Sequence, residues 1–322
     1  HKSFSVSELH KRIISAIDNR KSLISQSNNC CRLINTEGDF LPGLIVDKYG
    51  PGLVIQILTA GMERFRQDIL KALSDYAKPL FIYERSDTES RTREGLNAAQ
   101  GLLYGNISEK ILLTESGLNF EVDIISGQKT GFFFDQRPNR QLLRSYASGR
   151  RICDCFSYSA AFSVNALAAD AMQVDSVDIS KNAIKWAENN IEINGFDKQK
   201  VNFITADVFK FLRETEKKYD LIILDPPKFA KHPGEVQRAS RGYKDINLLA
   251  IKKIEAGGII FTFSCSNAID PYLFRQIVFA AAADAGRPVQ ILHSLSAGPD
   301  HPVNIAHREG EYLKGLVLRV LE

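Results

Sequence analysis

The chain has 322 residues, 44% hydrophobic and 25% charged, an ordinary balance for a soluble globular protein of two domains. Its net charge of +3 admits a nucleic-acid partner without requiring one. Five cysteines are too few and too irregularly placed for a disulfide framework. No His/Cys set has zinc spacing, and no apolar run approaches the roughly 18 residues of a membrane span, so a disulfide scaffold, a metal site and a membrane protein are set aside and a cytoplasmic location is expected.

In chain order, residues 5–25 read as a helix, with Ser5 or Ser7 as cap and Leu9, Ile13, Ile14 and Ile17 on one stripe. Residues 32–58 read as short strands separated by turn chemistry such as Leu41-Pro42-Gly43 and Tyr49-Gly50-Pro51-Gly52. Residues 62–77 form a second helix and 80–83 a strand that leads into a polar stretch with Arg85, Arg91 and Arg93. Residues 111–114 and 118–124 flank Glu115-Ser116-Gly117 as a hairpin. Residues 1–126 are therefore expected to form a small α+β domain.

From residue 127 to 322 strand and helix alternate, the mark of an α/β domain with a mostly parallel sheet. Strands are predicted over 151–156, 174–179, 201–206, 221–224 and 259–263, with 289–292 and 316–320 closing the sheet. Helices cover 181–194, closed by Gly195, and 274–285, closed by Gly286.

Ligands of open α/β sheets bind at the carboxyl ends of the strands. Three acids stand at successive ends: Asp154, Asp178 and Asp207. Asp178 lies about twenty residues beyond the first turn, where a carboxylate suits the two hydroxyls of a ribose. Asp207 can accept from an adenine amino group, and Asp154 can orient the first loop or meet an ammonium group. Each acid has a second use as a cap on the following helix. The first loop, Asp154-Cys155-Phe156-Ser157-Tyr158-Ser159-Ala160-Ala161, lacks the glycine fingerprint of a pyrophosphate site. A nucleoside with an amino-acid tail, S-adenosylmethionine, fits these residues better than NAD. Phe156, Ser157, Ile179 and Val208, beside the acids, fall in the same cofactor site.

Two further strand tips carry the chemistry. Leu224-Asp225-Pro226-Pro227-Lys228-Phe229 ends one strand, and Ser264-Cys265-Ser266 ends the next. A carboxylate and a thiol on neighbouring tips suit methylation of a pyrimidine ring carbon by covalent catalysis. Two prolines hold the backbone open for a flat base, with Phe229 near enough to stack. The thiol must be pushed toward thiolate, and a helix starting near Asp270 can assist through its dipole. The following stretch, with Lys228, Lys231, His232, Arg238, Arg241, Tyr243 and Lys244, reads as a basic loop able to contact RNA phosphates and to stack a base on Tyr243. A solvated loop is the alternative.

These segments, in this order, resemble the RlmI-type large-subunit ribosomal RNA cytosine-5 methyltransferases. Further matching segments are Leu41-Pro42-Gly43-Leu44-Ile45-Val46-Asp47, Lys129-Thr130-Gly131-Phe132-Phe133-Phe134-Asp135-Gln136-Arg137, Arg241-Gly242-Tyr243-Lys244-Asp245-Ile246-Asn247, Asp300-His301-Pro302 and Tyr312-Leu313-Lys314-Gly315. The resemblance implies a Rossmann-like class I methyltransferase domain with a seven-stranded, mostly parallel sheet, preceded by a small α+β domain that serves as the family's RNA-binding central domain. It implies Cys265 as nucleophile, Asp225 as the acid that holds the base and borders the cofactor, S-adenosylmethionine as cofactor and ribosomal RNA as partner. It places Lys129 to Arg137 along the cofactor pocket, with Thr130, Gln136 and Arg137 as contacts. The oligomeric state stays open, a homodimer included.

Two departures stand out. The family carries an N-terminal PUA domain that is not in this sequence, and the chain starts at His1 rather than Met, so a missing N-terminus is expected. Where the family has glycines after Phe-Ser-Tyr, this chain has Ser159, Ala160 and Ala161. A positive φ at Ala160 or Ala161 would strain the loop and crowd the methionine end of the cofactor. Alternative readings are a methyltransferase acting on a purine nitrogen, which has no need of Cys265, and a non-catalytic RNA-binding descendant of an enzyme.

Overall fold

The computed structural model describes residues 4–107, 110–125, 127, 130–230 and 232–322. The chain forms two compact units, His1–Arg137 with Gly298–Gly310, and Pro138–Ala297 with Glu311–Glu322. The sequence reading set the boundary at 126/127; the units divide at Arg137/Pro138, and a late segment returns to the first unit.

The first unit runs α1 (Val6–Asp18), β1 (Cys30–Asn35), β2 (Leu44–Tyr49), β3 (Gly52–Ile57), α2 (Ala60–Glu63), α3 (Arg66–Ala77), β4 (Phe81–Ser86), α4 (Glu89–Arg93), β5 (Ala99–Gly105), β6 (Ile111–Glu115) and β7 (Leu118–Val122). Ser5 starts α1 by accepting from the Glu8 amide at 3.2 Å. Strands β1 to β5 form a five-stranded sheet in that order, parallel at β3–β4 and antiparallel elsewhere. Leu9, Ile13 and Ile17 of α1 and Ile69 and Leu73 of α3 pack with Leu33, Val46, Ile55 and Ile82 of this sheet. The β6–β7 hairpin turns through Ser116 and Gly117, at φ 54° and 80°, the backbone of a tight two-residue loop. The expected helices are shorter: α1 ends at Asp18, and the 62–77 helix is interrupted at Arg64 and Phe65. The polar stretch after residue 83 holds α4 and β5.

The second unit runs α5 (Arg137–Ala147), β8 (Arg151–Cys155), α6 (Ala161–Leu167), β9 (Gln173–Asp178), α7 (Lys181–Ile193), β10 (Val201–Thr205), α8 (Val208–Glu214), β11 (Tyr219–Leu224), α9 (Val236–Lys253), β12 (Ile254–Ser264), α10 (Pro271–Ala285), β13 (Val289–Ser296) and β14 (Lys314–Val320). Its seven-stranded sheet has the order β10-β9-β8-β11-β12-β14-β13. The first five strands are parallel, and β14 runs antiparallel to both neighbours. Leu221, Ile222, Ile223 and Leu224 are fully buried, as the near-continuous apolar run of a central parallel strand requires. After β8 the chain winds toward β10, then crosses back to β11. The switch point therefore lies between β8 and β11, where doubly wound sheets hold their ligands.

Candidate active site

Strand register sets the geometry at the switch point. Cys155 lies opposite Val177 on one side and Leu224 on the other, and Leu224 lies opposite Thr262. Asp225 thus leaves β11 one residue beyond this line. Cys265 leaves β12 two residues further out, roughly 7 Å along the strand direction.

On the β8 side, Asp154 turns inward. Its Oδ2 accepts from the Ser163 amide at 3.0 Å and the Ser163 hydroxyl at 2.6 Å, which ties the first loop to α6. Burial pushes its carboxyl up to about 7, the Ser163 hydrogen bonds oppose this, and the nearby charges of Asp225 and Asp178 add to the rise. Of the two uses open to it, Asp154 takes the loop-orienting one. Asp178 accepts from the Tyr158 amide at 3.0 Å and the Ser180 amide at 2.8 Å, so it fixes both the first loop and the start of α7. Asp207 caps α8 by accepting from the Lys210 amide at 2.9 Å and remains exposed. Val208 behind it is buried.

The first loop alternates positive φ at Phe156 (61°), Tyr158 (49°) and Ala160 (59°). Strain at Ala160 is therefore present, and Ala161 begins α6. A left-handed alanine costs about 1–2 kcal/mol. The loop is held by hydrogen bonds from the Ser157 amide to the Val177 carbonyl at 3.0 Å and from the Ala160 amide to the Ser157 carbonyl at 2.8 Å.

Three observations test the fit of S-adenosylmethionine here. The Ser157 hydroxyl is buried with no partner among the described residues. Ile179 leaves 71% of its surface exposed beside Asp178, an apolar platform at a polar tip. Asp225 and Asp178 lie close enough to Asp154 for their charges to raise its proton affinity, so the acids gather negative charge at this rim, which suits a cation such as a sulfonium. These residues fit the cofactor.

On the β11 side Pro226 is buried, while Pro227 and Lys228 are exposed. Lys228 Nζ donates to Asn267 Oδ1 at 3.2 Å, linking the Asp225 tip to the turn after Cys265. Phe229 is half-buried, with ring centroids 4.6 Å from Tyr243 and 6.0 Å from Phe209. The stretch read as a basic loop is the helix α9 from Val236 onward. Ala239, Tyr243, Ile246, Asn247, Ala250 and Ile251 form its buried stripe, which the basic residues between them obscured. Stacking of RNA on Tyr243 is corrected on this ground: the ring is 0% exposed. Its hydroxyl instead lies 3.0 Å from Ser266 Oγ, next to Cys265. Arg241 is exposed, whereas Lys244 pairs with Asp284 at 2.6 Å. Lys129 and Lys231 lie outside the described residues.

Thr130, Gln136 and Arg137 belong to the first unit and are all buried there. Thr130 Oγ1 donates to Asp47 at 2.6 Å, and Asp47 also takes a bidentate pair from Arg32. The Arg137 guanidinium donates to the Cys30 carbonyl at 2.7 Å and to Glu115 at 3.2 Å, and pairs with Asp300 at 3.4 Å. Its charge is thus already engaged within that unit.

Sequence reasoning missed Ser266 and gave Lys314 no role. Ser266 Oγ accepts from the Ala230 amide at 3.2 Å, and Lys314 Nζ donates to the Ser266 and Ile269 carbonyls. The available signal was a lysine opening the strand Lys314–Val320, whose next four residues are Gly315-Leu316-Val317-Leu318.

Comparison with known proteins agrees with this geometry. Residues 88–310 match the family described as S-adenosylmethionine-dependent methyltransferase. The chain is 45% identical over 314 residues to ribosomal RNA large subunit methyltransferase I of Aeromonas salmonicida, covering 96% of this chain and 79% of that protein. The chain belongs to this family of S-adenosylmethionine-dependent methyltransferases. The Klebsiella pneumoniae relative of the same name is 44% identical over 294 residues, 90% of this chain and 74% of its own. Among solved structures, a Streptococcus mutans protein classed as a SAM-dependent methyltransferase superposes with a TM-score of 0.87 at 27% identity, over 99% of this chain and 83% of its own. A second methyltransferase structure, with SAH bound, gives 0.88 at 27% identity over the same shares. As a member of this family the chain is an S-adenosylmethionine-dependent enzyme. No helix among the described residues is long and apolar enough to cross a membrane.

Proposed function

We propose that this enzyme methylates C5 of a cytosine in large-subunit ribosomal RNA through a covalent bond between Cys265 and C6. One observation carries this reading: Asp225-Pro226-Pro227 and Cys265 end neighbouring parallel strands in register, Leu224 opposite Thr262. The names of relatives at 41–45% identity support ribosomal RNA as substrate and the cytoplasm as the workplace.

Asp178, Ile179, Phe156, Ser157, Asp207 and Val208 would hold the nucleoside of the cofactor, with Asp154 shaping the loop. Thr130, Gln136 and Arg137 remain proposed contributors through the order they give to their own segment. S-adenosylmethionine supplies an electrophilic methyl group. Cys265, as thiolate, adds to C6, and Asp225 keeps the ring nitrogen protonated so that the added electron pair makes C5 nucleophilic. After C5 has accepted the methyl group, a base removes the C5 proton, the C6–S bond breaks and the thiolate returns. Pro226 and Pro227 hold the tip open for the base, Phe229 borders it, and Lys228 and Arg241 face RNA phosphate, with Lys244 joining them only by giving up its pair with Asp284.

Nucleoside mass spectrometry of undermodified large-subunit RNA, after incubation with enzyme and cofactor, tests this directly. New 5-methylcytosine from the wild type and none from Cys265→Ala is expected. A methylated purine, or product undiminished in Cys265→Ala, would overturn it.

A further inference from the structure

The turn that carries Cys265 is stitched from behind by a buried lysine. Lys314, the first residue of β14, pairs in register with Ser264, the residue before the thiol. Its side chain is 5% exposed, and Nζ donates to the carbonyls of Ser266 at 2.8 Å and Ile269 at 2.6 Å. An ammonium has three donors, so two are used on the backbone that follows the thiol. A buried charge is expensive unless its surroundings return the cost through hydrogen bonds or an opposite charge.

The groups facing this site come from every neighbouring element. Cys265, Lys228 and Asp270 act electrostatically on Lys314. Tyr243, from α9, feels the charge of Cys265. Asp270 is committed to capping α10, accepting from the Leu273 amide at 2.7 Å. Lys228 is exposed and bonded to Asn267, so solvent weakens its field. Asp225, across the strand tip, opposes a thiolate. Among these groups, only Lys314 is a buried cation whose field solvent does not screen.

Resting on the covalent reading above, we infer that Lys314 is a positioning residue for Cys265: its ammonium pins the Ser266 and Ile269 carbonyls and supplies the local positive charge that favours the thiolate. Burial pushes Lys314 down to about 8, the Cys265 charge working in the opposite direction. At neutral pH the ammonium form still dominates. A thiolate beside it then adds to the two carbonyls and the Asp270 charge in making its burial tolerable, and each form stabilises the other.

The test is pH-dependent alkylation of Cys265 by iodoacetamide, read by peptide mass spectrometry with no RNA or cofactor present. The other four cysteines are buried, so this thiol is resolved from them. In the wild type the midpoint should lie below the roughly 8.5 of a free thiol. Lys314→Gln keeps amide donors for the carbonyls but removes the charge. It should raise the midpoint by about one pH unit, about tenfold less thiolate at pH 7, and move the pH profile of kcat the same way. Lys314→Met should do so and also loosen the turn. A wild-type midpoint at or above 8.5, or a Lys314→Gln midpoint equal to the wild type whatever its turnover, would overturn the inference. The wild-type arm needs no variant to fold. Methylation that persists in Cys265→Ala would instead sink the covalent reading, and the alkylation result would stand or fall separately.

Discussion

Asp154 shows most clearly how one residue's environment, rather than its identity, decides its role. Its spacing from Asp178 and Asp207 is legible in the sequence, but the direction of its side chain is not. The structure buries it against Ser163 and lifts its carboxyl to about 7, against 3.8 for an unperturbed aspartate. The folded state therefore keeps a proton that the unfolded chain has released between about pH 4 and about pH 7. Its contribution to stability falls as pH rises through that window and levels off above it. Asp154→Asn can still accept from Ser163 and has no proton to lose. Denaturant unfolding at pH 4 and pH 8 should find the variant close to the wild type at pH 4, where the unfolded chain has only begun to release its proton. At pH 8 it should be more stable than the wild type by more than about 1 kcal/mol. Parallel pH profiles for the two proteins would contradict this account. Ala160 is a case that only the comparison with the family's glycines raised, leaving Ala160 and Ala161 as alternatives. Alanine carries no signal for positive φ, and only the loop's hydrogen bonds to Val177 and Ser157 impose it.

At the scale of elements, the parallel strands were legible because buried runs such as Leu221–Leu224 admit no polar residue until the tip. Helix α9 was not, since its apolar stripe is interleaved with Arg238, Arg241 and Lys244. Nor did the sequence reveal that Gly298–Gly310 joins the first unit. Polar contacts rather than periodicity hold that segment. The Arg32 amide donates to Asp300 Oδ2 at 3.2 Å, Arg20 donates to the Asp300 carbonyl at 3.3 Å, and the Asn35 side chain donates to the Pro302 carbonyl at 3.0 Å. Gly38 permits the approach, because a Cβ there would stand 1.9 Å from the Pro302 oxygen. Arg137 joins this network to Glu115 and the β1 backbone. Arg137→Met removes the buried guanidinium that Glu115 and Asp300 share, while Asp300 keeps His301 at 3.0 Å, a loss of about 3 kcal/mol. The urea midpoint of the first unit should fall accordingly. An unchanged midpoint with weakened cofactor binding would instead make Arg137 a cofactor ligand alone.

Across the second unit, the doubly wound sheet sets Asp154, Asp178 and Asp207 and the Asp225 and Cys265 tips along one carboxyl edge, on either side of the switch point between β8 and β11. The seven-stranded sheet was implied by the family resemblance, and the alternation of strand and helix was readable because the chemical motifs at Asp154, Asp178, Asp225 and Cys265 lie at or next to strand ends. The supporting shell of Tyr243, Ser266 and Lys314 was not, since it depends on which side chains turn inward. The central claim is the bond between Cys265 and C6 of the base, and trapping it is the most direct measurement. RNA carrying 5-fluorocytidine has no C5 proton to release, so the adduct formed after methyl transfer cannot resolve. Incubated with enzyme and S-adenosylmethionine, such RNA should give a denaturation-resistant complex. Peptide mass spectrometry should locate the link at Cys265, and Cys265→Ala should form none. A wild-type enzyme that methylates ordinary RNA but yields no such complex, or one linked through another residue, would contradict the account.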